Sequence, residues 1–559
     1  MTKKPTATIS KLSFSGGQVV ELDPTAKVVI VGPNNSGKSQ ALRDIDFCIG
    51  RNNGVGAKVV TEVELSKRGS YDELIAFLDE NAEYRALDNV YWLGGWAVHK
   101  SHLQGWKGQG LANIHSGFTK RISADERLKI CEPQTSISPG AQKSRPQHVL
   151  YDDQDLMTKI SGLFRAAFGQ DLMFDYRGGN VMPIHVGPLP DMKEMPDRVG
   201  EKYVAAVREN PVLNEQGDGM KSYAGLLFEC VVGHHDIALI DEPEAFLHPP
   251  QMRRLGKTLC EQVDGQLVVA THSSDIMRGF LEGAKGVVRI LRIRRVGDVN
   301  QVFEAPSDTI KQLWEKPDLK YSNALEGIFH EQTILCEDDS DCRLINATAD
   351  HLSAQSDDLW KDTAYVPTGG KHAIAKIATV LRMVGVPLKA VFDIDFLDDK
   401  QVVRSSVTAF GGDWRAIEPL WQRVDGAVRN GVKPKTVDEI KVEISDLLKE
   451  SEPNALPAGD IKEALKQTKP WSIVKKTGVN GIPPGEATKH YNALIQQLAE
   501  IGIYVIPVGE IENFCREIGG HGPKFVTTVL SDIPLDDARL GRLRAFTETV
   551  HKGAHCVLP

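Results

Sequence analysis

"AKVVIVGPNNSGKSQALRDIDF", residues 26–47, decides the fold of the first half of the chain. The apolar run Val28 to Val31 leads straight into a glycine loop and then into a stretch of helical character, so the order is buried strand, loop, helix. The loop fits G-x-x-x-x-G-K-[ST] from Gly32 to Ser39. Such a loop cradles phosphate: the backbone through Gly32, Asn34, Asn35, Ser36 and Gly37 wraps it, Lys38 neutralises the outer phosphates, and the Ser39 hydroxyl ligates magnesium. The helix start adds its own partial positive charge. Placement between strand and helix separates this loop from a plain glycine turn.

Upstream, "ATISKLSF" (7–14) and "QVVELD" (18–23) alternate as two strands. Some two hundred residues downstream, "HHDIALIDEPEAFLHPPQ" (234–251) contains an apolar strand ending at Asp241 and Glu242. This is the second half of an ATP site, in which Asp241 reaches the magnesium through water or Ser39 and Glu242 is the general base for the attacking water. "LVVATHSSDIM" (267–277) is a further strand, ending at His272, which is expected to contact the γ-phosphate. A strand-end histidine alone is usually unremarkable, and its order after the other motifs carries the functional reading.

Length and composition bound what surrounds these motifs. A chain of 559 residues exceeds what one core organises, so two domains are expected. With 41% hydrophobic and 25% charged residues there is no apolar run of membrane-spanning length and no apolar signal core after Met1, which suggests a cytoplasmic protein without membrane contact. The eight cysteines include no CxxC pair, arguing against zinc and against a disulfide framework. A net charge of −9 leaves nucleic-acid contact to local basic patches.

The P-loop, "DEPEAFLHP" and "THS" resemble the ATPases of the ABC, SMC and RecF group, including the wide separation of the two phosphate motifs. In that group a signature loop from a second copy completes each site. "EQGDGMKSYAGLL" (215–227) lies where that loop is expected, giving candidate roles to Gly217, Gly219, Lys221 and Ser222, although the wording departs from Ser-Gly-Gly and a plain helix cap is the other reading. The resemblance implies a homodimer or a higher oligomer. Between the halves, the stretch 88–121 carries Trp92, Trp96 and Trp106 among Lys100, Lys107, Lys120 and Arg121. Packing of an insertion or of a dimer interface is preferred to stacking on bases. Further on, Leu156, Ile160, Leu163, Phe164 and Phe168 fall on one side of a core helix.

Past the connector "SDTIKQLWEKPDLKYS" (307–322), the pattern turns to acids behind apolar strands. "TILC" delivers Glu337, with Asp341 at the start of the next helix; "LKAVFDIDF" delivers Asp393 and Asp395; "IGIYVIPVGEIEN" delivers Glu510 and Glu512. Acids two apart on a strand share a face, and open parallel sheets put their sites at the strands' carboxyl ends. The fold class is therefore α/β throughout: an ABC-type P-loop ATPase domain over 1–320, with an insertion at 51–148, then an α/β domain over 321–559 with a helical insertion at 410–490.

The order strand-Glu, helix, strand-Asp-x-Asp resembles the TOPRIM fold, and an ABC-type ATPase followed by such a domain resembles the overcoming-lysogenisation-defect (OLD) family of ATP-dependent nucleases. That resemblance implies a two-metal nuclease using magnesium or manganese, with Glu337, Asp393 and Asp395 as principal ligands, Asp341, Glu510 and Glu512 as a second set, and Lys524 as the basic group near the scissile phosphate. It also implies a nucleic-acid substrate, DNA ahead of RNA, and a place in antiphage defence with a protein or RNA partner. No helix-turn-helix, zinc-finger or RNA-recognition signature decides the substrate. One position departs from the family: Asp338 stands where a glycine usually follows the first Glu. That departure favours the alternative, an ATP-switched DNA-binding or sensor scaffold whose degenerate TOPRIM domain recruits a separate effector.

Overall fold

The computed structural model describes residues 3–51, 56–138, 140–284, 288–305, 323–358, 360–451, 456–466 and 469–559. The chain divides into two compact units, Met1–Glu315 and Lys316–Pro559. The connector 307–322 lies outside the described residues.

The first unit is built on a six-stranded sheet: β1 (Lys27–Val31), β2 (Thr119–Ile122), β3 (Ile237–Asp241), β4 (Gln266–Ala270), β5 (Arg289–Val296) and β6 (Val299–Glu304). The order is β6-β5-β1-β4-β3-β2, parallel except for the β5–β6 hairpin. Val28 to Val31, Ile237 to Ile240 and Gln266 to Ala270 are buried along their whole length, which is why they read as unbroken apolar runs rather than alternating ones. Both phosphate motifs thus leave parallel strands at the same edge, on either side of β4, although some two hundred residues separate them.

A second, three-stranded antiparallel sheet joins Thr6–Phe14 to Val19–Glu21 and Val60–Arg68. Gln266 ties it to the main sheet. Its buried amide accepts from Ile9 N (2.6 Å) and donates to the carbonyls of Ile9 and Asp23 (2.7 Å each). The stretch 51–148 is consequently not a separate insertion throughout: Val60–Arg68 belongs to this sheet, and β2, with Lys120 and Arg121 at its centre, is the edge strand of the main one. Ile122 is the one apolar residue in "TKRI", too little to mark it as a strand. Its charged residues pair instead, Lys120 with Glu229 (3.4 Å) and Arg121 with Asp46 (3.4 Å). Trp96 and Trp106 pack against Phe118, with ring centroids 5.8 and 5.1 Å apart, while Trp92 stays exposed under the Arg85 guanidinium. On the helix Gln154–Phe168, Ile160 and Phe164 are buried, and Leu156, Leu163 and Phe168 half-buried.

The second unit has a four-stranded, all-parallel sheet made of β7 (Gln332–Cys336), β8 (Thr363–Pro367), β9 (Leu388–Phe392) and β10 (Ile503–Val505), in the order β8-β7-β9-β10. Helices Asp339–Ala354, Pro523–Asp532 and Gly541–Lys552 share a core with it, through Ile345, Val391, Phe525 and Leu543. Among the described residues, five α-helices, from Trp414–Gly431 to Glu486–Glu500, lie in sequence between the strand that ends before Asp393 and the strand that ends before Glu510. All eight cysteines are buried. Among the described residues, no helix is long and apolar enough to cross a membrane.

Replacing Gln266 by Leu leaves the Ile9 and Asp23 groups buried without partners. The first unit should lose about 2 to 4 kcal/mol, read as a lower urea midpoint of its unfolding transition.

Candidate functional site

In the first unit, the loop between β1 and the helix Lys38–Arg51 is shaped by backbone conformations that favour glycine. Gly32 has φ +144° and Gly37 φ +99°; a Cβ on Gly32 would lie 2.3 Å from the Ile293 carbonyl, and one on Gly37 2.9 Å from Val59. Asn35, also at positive φ (+60°), and Asn34 are exposed at the loop tip. Asn300 on β6 braces the loop by donating to the Ser36 carbonyl at 2.7 Å. Lys38 is buried and donates to the carbonyls of Gly32 and Pro33, both at 2.8 Å. Burial pulls its pKa down to about 8, a shift that the charges of Glu242, Glu244 and Asp241 oppose.

Ser39 donates its hydroxyl hydrogen to Asp241 Oδ1 at 2.9 Å, which puts two hard oxygen donors from the two halves of the motif side by side. That donor set fits magnesium. Burial raises the pKa of Asp241. Glu242 turns off the strand with φ +46°, a strained value for a side chain of its size, and its carboxylate meets His272 Nε2 at 2.9 Å. His272 therefore lies against the expected general base.

Two neighbours escaped the reading of the sequence. Glu244 accepts from Thr271 Oγ1 (2.8 Å) and from His272 N (2.7 Å), and so fixes the turn that carries His272. Arg127, fully buried, donates to the Glu242 carbonyl at 2.6 Å and holds the strained residue from behind. Neither belongs to a spacing motif. In the expected signature loop, Gly217 caps the helix Asp218–Leu227 through its backbone and Lys221 pairs with Asp218 at 2.8 Å. Ser222 is buried and bonds the Ala245 carbonyl at 3.2 Å, and Gly219 packs where a Cβ would lie 2.7 Å from the Phe246 carbonyl. Phe246 is exposed and, with Phe168, Gly217 and Met220, lines a groove of about 250 Å³.

In the second unit the three acidic segments converge at the carboxyl edge of the sheet. Glu337 follows β7 and accepts from Asp393 N, which follows β9, at 3.2 Å. Asp338 caps the helix Asp339–Ala354: its Oδ1 accepts from Ser340 N (2.8 Å) and Asp341 N (3.3 Å), while Asp341 Oδ2 accepts from Asp338 N (3.3 Å). Its φ of −139° is ordinary extended backbone, so this position makes no demand for glycine.

Two lysines from elsewhere enter the cluster. Lys475, on the helix Pro470–Thr477, places its Nζ 2.7 Å from Asp393 Oδ2, 3.2 Å from Asp395 Oδ1 and 3.9 Å from Glu510 Oε2. Lys371, at the start of the helix Lys371–Met383, bonds Asp395 Oδ2 at 2.9 Å and the Asp395 carbonyl at 3.0 Å. Lys524 is exposed on the first turn of Pro523–Asp532 and forms no ion pair with these acids among the described residues, so the basic groups at the cluster are Lys371 and Lys475. Glu512 accepts from Gly522 N (2.7 Å) and meets His521 at 2.6 Å. Donor atoms of Glu510, Glu512 and His521 lie within 4.8 Å of one another.

The electrostatics divide the cluster. Asp395, half-buried but paired with both lysines, has its pKa lowered: the lysines outweigh the opposing effect of burial. Glu337 and Asp393 are raised, chiefly by burial; neighbouring acids add to the shift and Lys475 opposes it. Asp341 is pushed up to about 8 by burial and by Asp393 and Asp338, and Glu510 to about 7 by burial and Glu512. Clustered oxygen donors that resist ionising together, with no cysteine ligand among them, fit a hard divalent cation.

Residues 200–278 match the family described as "AAA domain, putative AbiEii toxin, Type IV TA system". Solved structures similar to the chain include an SmcHead bound to the C-winged helix domain of ScpA (14% identity, 53% of this chain, 97% of that one, TM-score 0.32). Another is the SMC head domain from Thermotoga maritima (15%, 54%, 100%, TM-score 0.29). A third is the Smc head domain with an extended coiled coil bound to the C-terminal domain of ScpA, derived from Pyrococcus furiosus (12%, 56%, 99%, TM-score 0.32). At such identities and scores the overlap is partial. No curated protein matches the chain. The sheet of the first unit carries the glycine loop and Asp241 on separate strands of one edge, with the family match falling on the second of the two. That is the arrangement of a P-loop nucleotide-binding site, in a unit similar over residues 200–278 to an AAA domain.

The raised carboxylates set a pH dependence. Their folded pKa lies above the unfolded value of about 4, so the folded state holds protons that the unfolded state has released, and stability falls as pH rises from about 4 towards 8. In chelator, the unfolding midpoint of the second unit should drop between pH 5.5 and pH 8.5. The double substitution Glu337→Gln, Asp341→Asn should flatten that drop.

Proposed function

We propose that the chain is an ATP-regulated, divalent-metal-dependent nuclease of the OLD type, its second unit a TOPRIM domain, acting on nucleic acid, DNA ahead of RNA. The observation that carries this reading is the meeting of Glu337, Asp341, Asp393, Asp395 and Glu510 at one sheet edge, in a chain that also has an ATP site. A bound magnesium or manganese ion would polarise the phosphodiester and lower the pKa of water. Glu337, Asp341 and Asp393 would hold it, with Asp395, Glu510 and Glu512 beside them. Lys371 and Lys475 offset the charge that lets these acids share a buried edge, and give the phosphate a cationic wall.

In the first unit, Lys38 would bind the outer phosphates, Ser39 and Asp241 would hold magnesium, and Glu242, steadied by His272 and Arg127, would take the proton of the attacking water. A homodimer formed across the Gly217 loop and the exposed Phe246 would close this site. Eight buried thiols suit a reducing, cytoplasmic setting. A role in antiphage defence, with a protein or RNA partner, belongs to the same reading and rests on the family resemblance.

Purified chain incubated with plasmid or RNA, magnesium or manganese, with and without ATP, should cleave. Glu337→Ala and Asp393→Ala should each lower cleavage by more than about a hundredfold, because even outer-shell partners of a metal are worth ten- to a hundredfold. Lys38→Ala should abolish ATP hydrolysis and change the ATP dependence of cutting. Equal cutting by wild type and both acid variants would sink the nuclease reading. One observation favours the scaffold alternative: the two lysines already neutralise much of the cluster without a metal. That alternative predicts ATP-dependent nucleic-acid binding, lost in Lys38→Ala, with no cleavage under any divalent ion.

A further inference from the structure

Arg127 is fully buried, yet most of its donors are unspent. Nη2 donates to the Glu242 carbonyl at 2.6 Å, while Nε and Nη1 meet no acceptor among the described residues. An apolar side chain would fill the same space without orphaning two nitrogens, so packing alone does not account for an arginine here. Burial pulls its pKa down to about 10, against the charges of Glu244, Glu242 and Asp241, and it stays a cation at neutral pH. The carbonyl it holds belongs to a residue at φ +46° and also accepts from Ala245 N at 3.0 Å. Two donors on one oxygen hold Glu242 in a backbone conformation that its side chain disfavours.

What positions Arg127 is equally specific. It lies on the short helix Ala124–Lys129, which follows β2, and β2 pairs with β3, so Arg127 and Glu242 leave adjacent strands. The helix Asp218–Leu227 packs against both segments. At every third residue it sets a small side chain on a backbone carbonyl. A Cβ on Gly219 would lie 2.7 Å from the carbonyl oxygen of Phe246, Ser222 Oγ donates to Ala245 at 3.2 Å, and a Cβ on Gly225 would lie 2.2 Å from the carbonyl oxygen of Arg127. Cys131 Sγ, just past the Arg127 helix, donates to the Lys221 carbonyl at 3.2 Å. One helix therefore grips both the turn after Glu242 and the arginine that braces it, and its N-cap is Gly217, beside the exposed Phe246.

We propose that Arg127 is a positioning residue for ATP hydrolysis, and that the helix Asp218–Leu227 acts through it on the general base of its own chain. A shift of that helix moves Gly225, Gly225 moves the Arg127 backbone on which it rests, and the guanidinium then holds or releases the Glu242 carbonyl. Held, Glu242 keeps its strained φ and its carboxylate stays in place for the attacking water; released, it relaxes and the carboxylate turns away. The Gly217 loop thus controls the ATP site of its own chain, in addition to any contact it makes with a second copy. This rests on the ATP-site reading above and deepens it.

The test is steady-state ATP hydrolysis by the full chain with magnesium, with binding of a fluorescent ATP analogue measured on the same samples. Arg127→Met should lower kcat by about a hundredfold, the cost of misplacing a reacting group by about an ångström, and leave KM and the analogue's Kd within about threefold. Arg127→Lys keeps the charge but not the planar fork and should lose about tenfold in kcat alone. Gly225→Ala should also lower kcat selectively, and Arg127→Met combined with Gly225→Ala should be no slower than Arg127→Met, because the helix acts through the arginine. Wild-type kcat in folded Arg127→Met would overturn the proposal, as would a loss of ATP binding as large as the loss of kcat, or losses that multiply in the double variant. Should Arg127→Met not fold, Arg127→Lys decides, and wild-type kcat there overturns the proposal. Failure of the ATP-site reading looks different: wild type would not hydrolyse ATP, or Lys38→Ala would hydrolyse it as fast.

Discussion

Carboxylates gathered at the buried edge of a parallel sheet repel one another and lose hydration, so they persist only where positive charge is brought to them or where some keep their protons. The second unit uses both remedies. Lys371 and Lys475 meet Asp395, whose pKa falls, while Asp341 is pushed up to about 8 and Glu510 to about 7. Much of the surrounding architecture follows from delivering Lys475: the glycine and asparagine of 509–513 and the helix Pro470–Thr477 they seat.

The first unit solves a related problem with backbone instead of lysine pairs. A parallel edge again receives acids, Asp241 and Glu242, yet its partners are a hydroxyl, an imidazole and the carbonyl-anchored Lys38. Positive φ at Gly32, Asn35, Gly37 and Glu242 bends the chain into these positions. The strain is held by packing: Asn300 on the Ser36 carbonyl and Arg127 on the Glu242 carbonyl. Both units place their chemistry at the carboxyl end of parallel strands, where successive loops leave the sheet on one side.

How much of this was legible in the sequence differs by residue. The P-loop, Asp241, Glu242 and the three acidic segments follow buried strands directly, so a short window contains both the strand and the group that it delivers. Asp338 read as a defect because a family pattern has glycine there; in the fold it is an ordinary helix cap at φ −139°. Lys524 was the site's lysine only through the family resemblance; it is exposed on its helix and pairs with none of these acids among the described residues. Lys371 and Lys475 carry no motif and had no signal beyond being basic. "TKRI", the edge strand β2, was invisible because an edge strand can carry charge on residues that pair sideways.

The sequence by itself determined the phosphate loop, the α/β class of both halves and the identity of the acids, because strand burial and loop chemistry are encoded within a few consecutive residues. Tertiary structure alone decided which cations answer those acids. Lys475 lies 80 or more residues from Asp393 and Asp395 along the chain and 2.7 and 3.2 Å from them in space. Charge compensation acts through distance in space, which no local window of sequence records.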